Sequence, residues 1–132
     1  MATIEKQTRE TGKIIFVVDS DSALRQRLMS VLQNSSQDVK TFEKAENLLV
    51  QLDVTMPDCL IIGTKLSGMG AIDLMYQLKK QEVDIPAIVL SEEADISQAV
   101  SAMRAGAVDF INKPFTDQKL RVCVKRILEK AS

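Results

Sequence analysis

The sequence predicts a doubly wound α/β domain, and three observations carry that prediction. Short β-branched runs alternate along the chain with longer segments of helical period. The short runs are apolar almost throughout rather than every second residue, as strands covered on both faces are. Right-handed crossovers then leave a chain of this form one common solution, helices on both faces of a parallel sheet.

The first strand is placed at Lys13 to Val18, and after it Leu24, Leu28, Val31 and Leu32 fall on one helical face behind the capping candidates Asp21 and Ser22. A second strand at Val39 to Thr41 has only Val39 and Phe42 as large apolar residues nearby and suits a sheet edge. Ala45, Leu48, Leu49 and Leu52 repeat the helical spacing before a third strand at Cys59 to Ile62. Ile72, Met75 and Leu78 mark a third helix, Ala87 to Leu90 a fourth strand, and Ile96, Ala99, Val100 and Met103 the apolar face of a fourth helix. Gly106 is where that helix should stop, in the left-handed conformation glycine tolerates. Val108 to Ile111 reads as the fifth strand, and Thr116 as cap of a last helix whose inner face is Leu120, Cys123, Val124, Ile127 and Leu128. An edge-like second strand gives the flavodoxin-like order 2-1-3-4-5.

Composition narrows the function classes. One domain is expected from 132 residues, with residues 1–12 a polar tail and 13–130 the folded unit. Seventeen basic and eighteen acidic residues leave a net charge of −1, which argues against direct nucleic-acid or anionic-lipid binding. Histidine is absent, removing the commonest general base, metal ligand and phosphoryl carrier. Cys59 and Cys123 sit in apolar patterns and read as buried thiols, with no disulfide or metal cluster. No apolar run approaches the ~18 residues of a membrane span, so a cytoplasmic protein without membrane contact is expected.

Ligands of doubly wound sheets bind beyond the carboxyl ends of the strands, which directs attention to Asp19 to Asp21, Gly63 to Lys65, Ser91 to Glu93 and Asn112 to Pro114. The segments KIIFVVDSDSALR, DCLIIGTKLSGMG, AIVLSEEAD and GAVDFINKPF resemble the receiver domain of bacterial two-component response regulators, CheY-like and FixJ-like, over nearly the whole chain. That family places an acidic pair after the first strand, a phosphoacceptor aspartate after the third, Ser or Thr after the fourth and Lys-Pro, often cis, after the fifth. By this resemblance Asp19 matches the first acid, Ser20 the second, Gly63 the phosphoacceptor, Ser91 the hydroxyl and Lys113 the lysine, followed by Pro114.

Two of the five positions lack the chemistry. Glycine cannot accept a phosphoryl group, and without the carboxylates of positions 20 and 63 a hard divalent cation loses two of three acidic ligands, so metal binding should be weak or absent. No catalytic residue and no cofactor are expected. Asp21 is better explained as a helix cap than as a substitute ligand. Asp58 stands at the wrong end of its strand, and Thr64 lacks acyl-phosphate chemistry. Lys113 should pair with Asp19, with Glu92 as a second partner. Glu92 and Glu93 read first as solvated glutamates, and second as a carboxylate filling the vacated pocket.

Ser91 and Phe110 match the family's coupling pair between site and output face; Phe110 reads equally as an ordinary half-buried strand residue. The resemblance therefore implies a degenerate receiver, a pseudo-receiver acting as a protein-interaction module without aspartyl phosphorylation. It also implies a histidine kinase or a downstream output domain as partner, the chain forming the N-terminal part of a transcription regulator. A homodimer is expected through the face of fourth helix, fifth strand and fifth helix, with Gln98, Ser101, Arg104, Ala105, Val108, Phe110 and Lys119; a solvated, inactive surface is the equal alternative. The competing functional readings are a conventional phosphorelay receiver in which Gly63 replaces aspartate, and, more remotely, a flavin-binding flavodoxin-like protein. The latter needs a glycine-rich phosphate loop that DSDSAL does not supply, and aromatic walls, whereas the chain has one tyrosine and no tryptophan.

Overall fold

The computed structural model of the chain describes residues 12–64, 66–92 and 96–130. The elements follow in strict alternation: β1 Lys13–Val18, α1 Ser22–Leu32, β2 Gln37–Phe42, α2 Ala45–Gln51, β3 Cys59–Gly63, α3 Ala71–Lys80, β4 Ala87–Ser91, α4 Ile96–Arg104, β5 Asp109–Asn112 and α5 Asp117–Lys130. All strands are parallel, in the order β2-β1-β3-β4-β5. The fold is the one the sequence predicts. Its elements differ mainly at their ends: β2 extends to Gln37 and Phe42, and β5 is displaced by one residue to Asp109–Asn112. The expected polar tail, residues 1–11 of it, lies outside the described residues, as do Lys65 and Glu93.

Alternation along each strand sends side chains to two cores. Ile15, Val17, Ile61, Ile88 and Leu90 meet Leu24, Leu28, Leu120 and Val124 on the α1/α5 side, while Phe16, Val18, Leu60, Ile62 and Val89 meet Leu48, Leu74 and Ala102 on the other. The central strands are buried along their whole length, which is why they read as continuous apolar runs. Asp21 caps α1, its Oδ1 accepting from the N–H groups of Ala23 and Leu24 at 2.9 and 3.3 Å. Thr116 caps α5 by accepting from the Lys119 N–H at 3.0 Å.

The fourth helix corrects the sequence expectation. Its spacing marks Ile96, Ala99, Val100 and Met103 as the inner face, yet Ile96 is 82% exposed, Met103 50% and Val100 42%, whereas Ala102 is fully buried. Three alanines, Ala102, Ala105 and Ala107, let the helix and its exit lie close against the sheet, and the larger apolar stripe faces outward. Periodicity reveals that a stripe exists and not which neighbour covers it. The helix ends as expected: Gly106 has φ +110°, and the Ala107 N–H closes back onto the Ala102 carbonyl at 3.0 Å.

Candidate functional site

Sheet register assembles the site. Val18 pairs with Ile62, so the residues that follow, Asp19 and Gly63, emerge side by side at the carboxyl edge, and Ser91 lies opposite Asn112, just before Lys113. Asp19, Ser91 and Lys113, far apart in sequence, thus share one end of the sheet.

Asp19 is the buried centre of this cluster, its side chain only 3% exposed. Its Oδ1 accepts from the Asp21 N–H at 2.8 Å, and its Oδ2 faces Lys113 Nζ at 3.3 Å, an ion pair whose lysine side chain is 16% exposed. Arg25 donates to the Asp19 main-chain carbonyl at 2.6 Å, fixing the start of the loop from the first turn of α1. Lys113 has a second, longer contact to Glu92 Oε1 at 3.9 Å, and the Lys113-Pro114 bond is cis. The expected pairing of Lys113 with Asp19 and Glu92 is therefore present in geometry.

Gly63 is the last residue of β3 and is buried. A Cβ built on it would lie 2.7 Å from Cγ of Asp19 and 3.2 Å from its Cβ, closer than side chains pack. The carboxylate that fills the room over Gly63 is thus that of Asp19. Glu92, read first as a solvated glutamate and second as a candidate for that part, stays at the surface with a 38% exposed side chain. Asp21 faces its helix rather than the cluster, its carboxylate engaged as cap.

Ser91 is buried, and its hydroxyl donates to Gln98 Oε1 on α4 at 2.6 Å. Gln98, expected on the outward side of the helix, is half-buried and ties the end of β4 to α4. Phe110 is half-buried, packed on the α2/α3/α4 core. Among the residues expected on the outer face, Arg104, Val108, Lys119 and Ser101 are exposed, but Ala105 is only 3% exposed and belongs to the core. A small residue following a helix against the sheet has no side chain long enough to reach a partner, so Ala105 is removed from that face.

A clamp that the sequence did not reveal holds the loop after β5. Arg27 of α1 donates to the Phe115 carbonyl at 2.7 Å and to Asp117 Oδ1 at 2.9 Å, and its guanidinium lies 4.6 Å from the Phe115 ring centre. Both cysteines are free and buried. Burial, and then the charge of Asp58, push the Cys59 thiol up to about 12; burial and a hydrogen bond with Asp109 push the Cys123 thiol upward. Neither is a nucleophile at neutral pH. Among the described residues no three Asp, Glu or Cys side chains gather as a metal site, and no helix is long and apolar enough to cross a membrane.

Comparison with known proteins gives a consistent result. The response regulator receiver domain profile matches residues 15–125. Nodulation protein W of Bradyrhizobium diazoefficiens is 36% identical over 113 residues, covering 83% of this chain and 48% of that protein. The transcriptional regulatory protein FixJ of the same organism is 31% identical over 117 residues, covering 89% of this chain and 57% of that protein. The chain spans about half the length of these curated relatives. The receiver domain of the Francisella response regulator 1452 superimposes with a TM-score of 0.86 at 20% identity, over 92% of this chain and 100% of that domain, a likeness of fold.

Proposed function

The chain belongs to the response regulator receiver domain family, and on that footing we propose that it is a pseudo-receiver, a regulatory module that works through protein contacts without an aspartyl phosphate at position 63. The observation that carries this reading is the pairing at the carboxyl edge of β3: glycine stands where the family has its acceptor, and Asp19 turns its carboxylate over that glycine onto Lys113. The donor set also fails to fit the divalent cation that phosphoryl transfer to a receiver requires. Position 20 is a serine, position 63 has no side chain, and both oxygens of Asp19 already face the Asp21 N–H and the Lys113 ammonium. A cation would have to break that ion pair to be held by one carboxylate.

Signalling then rests on surfaces. We place the working surface on α4, β5 and α5, where Ile96, Val100, Met103 and Val108 are exposed beside Arg104 and Lys119. Large apolar side chains rimmed by cations are the composition of a modest protein interface. A two-fold homodimer through this face is the arrangement proposed, constitutive because no phosphate shifts its equilibrium. FixJ is by name a transcriptional regulatory protein, which supports placing this chain as the receiver part of a transcription regulator whose partner is a histidine kinase or an output domain.

Intact-mass measurement after incubation with acetyl phosphate and magnesium tests the reading. No added phosphate is expected, and millimolar magnesium should leave Tm unchanged, since a ligand without a site gives no linkage stabilisation. A stable +80 Da species on a residue of the four loops would overturn it. The second reading, a conventional receiver in which Gly63 replaces aspartate, draws on the presence of Asp19, Ser91 and Lys113-Pro114 in one cluster. It requires that Gly63→Asp become efficiently phosphorylated under the same conditions.

A further inference from the structure

We infer that Asp19 and Gly63 form an interlocked pair: the carboxylate of Asp19 occupies the room any side chain at position 63 would need and serves as the internal anion for Lys113, so the site is closed to an acceptor carboxylate unless Asp19 is displaced as well. The inference rests on the pseudo-receiver reading only in identifying position 63 with the acceptor; the steric interlock stands on geometry alone. Gly63 carries none of the positive φ that demands glycine. Backbone conformation therefore permits a side chain there, and what forbids it is the 2.7 Å approach of Asp19 Cγ to the place of a Cβ.

Asp19 has little freedom to withdraw. Turning its carboxylate aside breaks the 2.8 Å bond from the Asp21 N–H and the 3.3 Å pair with Lys113 together. The start of its loop is fixed through the Arg25 bond to the Asp19 carbonyl and the Asp19 N–H bond to the Phe42 carbonyl at 3.1 Å. Moving the carboxylate also leaves the Lys113 ammonium, largely buried, with Glu92 at 3.9 Å as its remaining ion-pair partner among the described residues. A side chain at position 63 therefore acts on the loop after β5 through Asp19 and Lys113. The same loop is anchored from the other side by Arg27 at Phe115 and Asp117. The lock gives Lys113 a permanent anionic partner, and no phosphoryl group or metal ion is needed to hold it.

The test is a double-mutant cycle read by thermal unfolding. Gly63→Ala should lower Tm by about 5 °C in the otherwise unchanged protein, the usual scale of forcing one methyl into a filled site. In the Asp19→Ala background the same substitution should cost a small fraction of that, while in the Asp19→Asn background, which keeps the volume and removes the charge, the full loss should return. An equal loss in all three backgrounds would overturn the pair. If Asp19→Ala fails to fold, amine labelling of Lys113 followed by peptide mass decides: Gly63→Ala should speed it several-fold, and an unchanged rate would overturn the inference. Phosphorylation is read nowhere in this cycle. Its failure leaves the pseudo-receiver reading standing, and a phosphorylated wild type would remove that reading without touching the interlock.

Discussion

Lys113→Met isolates the energetic role of the ion pair. Methionine preserves most of the apolar stem of lysine and removes the ammonium, so the change acts on one interaction. What remains is the Asp19 carboxylate, 3% exposed, still accepting from the Asp21 N–H at 2.8 Å. Removing one member of a buried pair costs about 3–5 kcal/mol, because the survivor keeps its desolvation cost without compensation. The retained bond from Asp21 places this site at the lower end, about 3 kcal/mol. For a domain of this size that lowers Tm by about 10 °C. Thermal melts followed by far-ultraviolet circular dichroism, with urea unfolding to check that the transition remains two-state, measure it directly. Lys113→Met with Asp19→Asn removes both charges and should recover most of the loss, since a neutral amide no longer requires a counter-ion. A Tm for Lys113→Met within about 1 °C of wild type would refute the argument, as it would mean that Asp19 is hydrated or that the pair contributes nothing net.

Four further outcomes are expected. Arg27→Ala removes the contacts to Phe115 and Asp117, and because the Arg27–Asp117 pair is partly exposed the loss should be about 1 kcal/mol, seen as a small drop in Tm with faster hydrogen exchange confined to residues near 113–117. Ellman's reagent at pH 8 should label neither cysteine in the native state and both after unfolding. The raised Cys59 pKa is a stabilising difference that is complete below about 9 and lost as pH rises towards about 12, so a Cys59→Ala variant should lose less stability than wild type over that alkaline window. Sedimentation should detect dimers at tens of micromolar without phosphoryl donor or metal, and Ile96→Asp or Arg104→Glu should abolish them; a strictly monomeric wild type, or dimers indifferent to both changes, would count against the α4–β5–α5 face.

The strand and helix order was legible because each element repeats a short-range period, and the two-sided burial of the sheet forces its strands to be apolar throughout. The same holds for α1 and α5, whose predicted inner faces are the buried ones. It failed at α4 for a definite reason: the helix packs through alanines, whose small apolar side chains are outweighed in the pattern by Ile96, Val100 and Met103 on the open side. The end of β5 was misplaced by one residue because Val108 belongs to the turn that follows Gly106 and is half exposed, although its type favours a strand.

By itself the sequence determined the parallel order, the four loops at its carboxyl edge and the absence of a carboxylate at positions 20 and 63, which is a matter of residue identity. It also named Lys113 and Asp19 as partners, because a lysine and an acid beside the same strand ends must compensate one another. Only the tertiary structure decided that Asp19 lies over Gly63, that Ser91 is held by Gln98, that Arg27 clamps the loop after β5, and that Ala105 belongs to the core. Those relations join residues brought together by strand register and helix packing, and the distances that separate a bonded pair from a clash, a few tenths of an ångström, are set by packing through space.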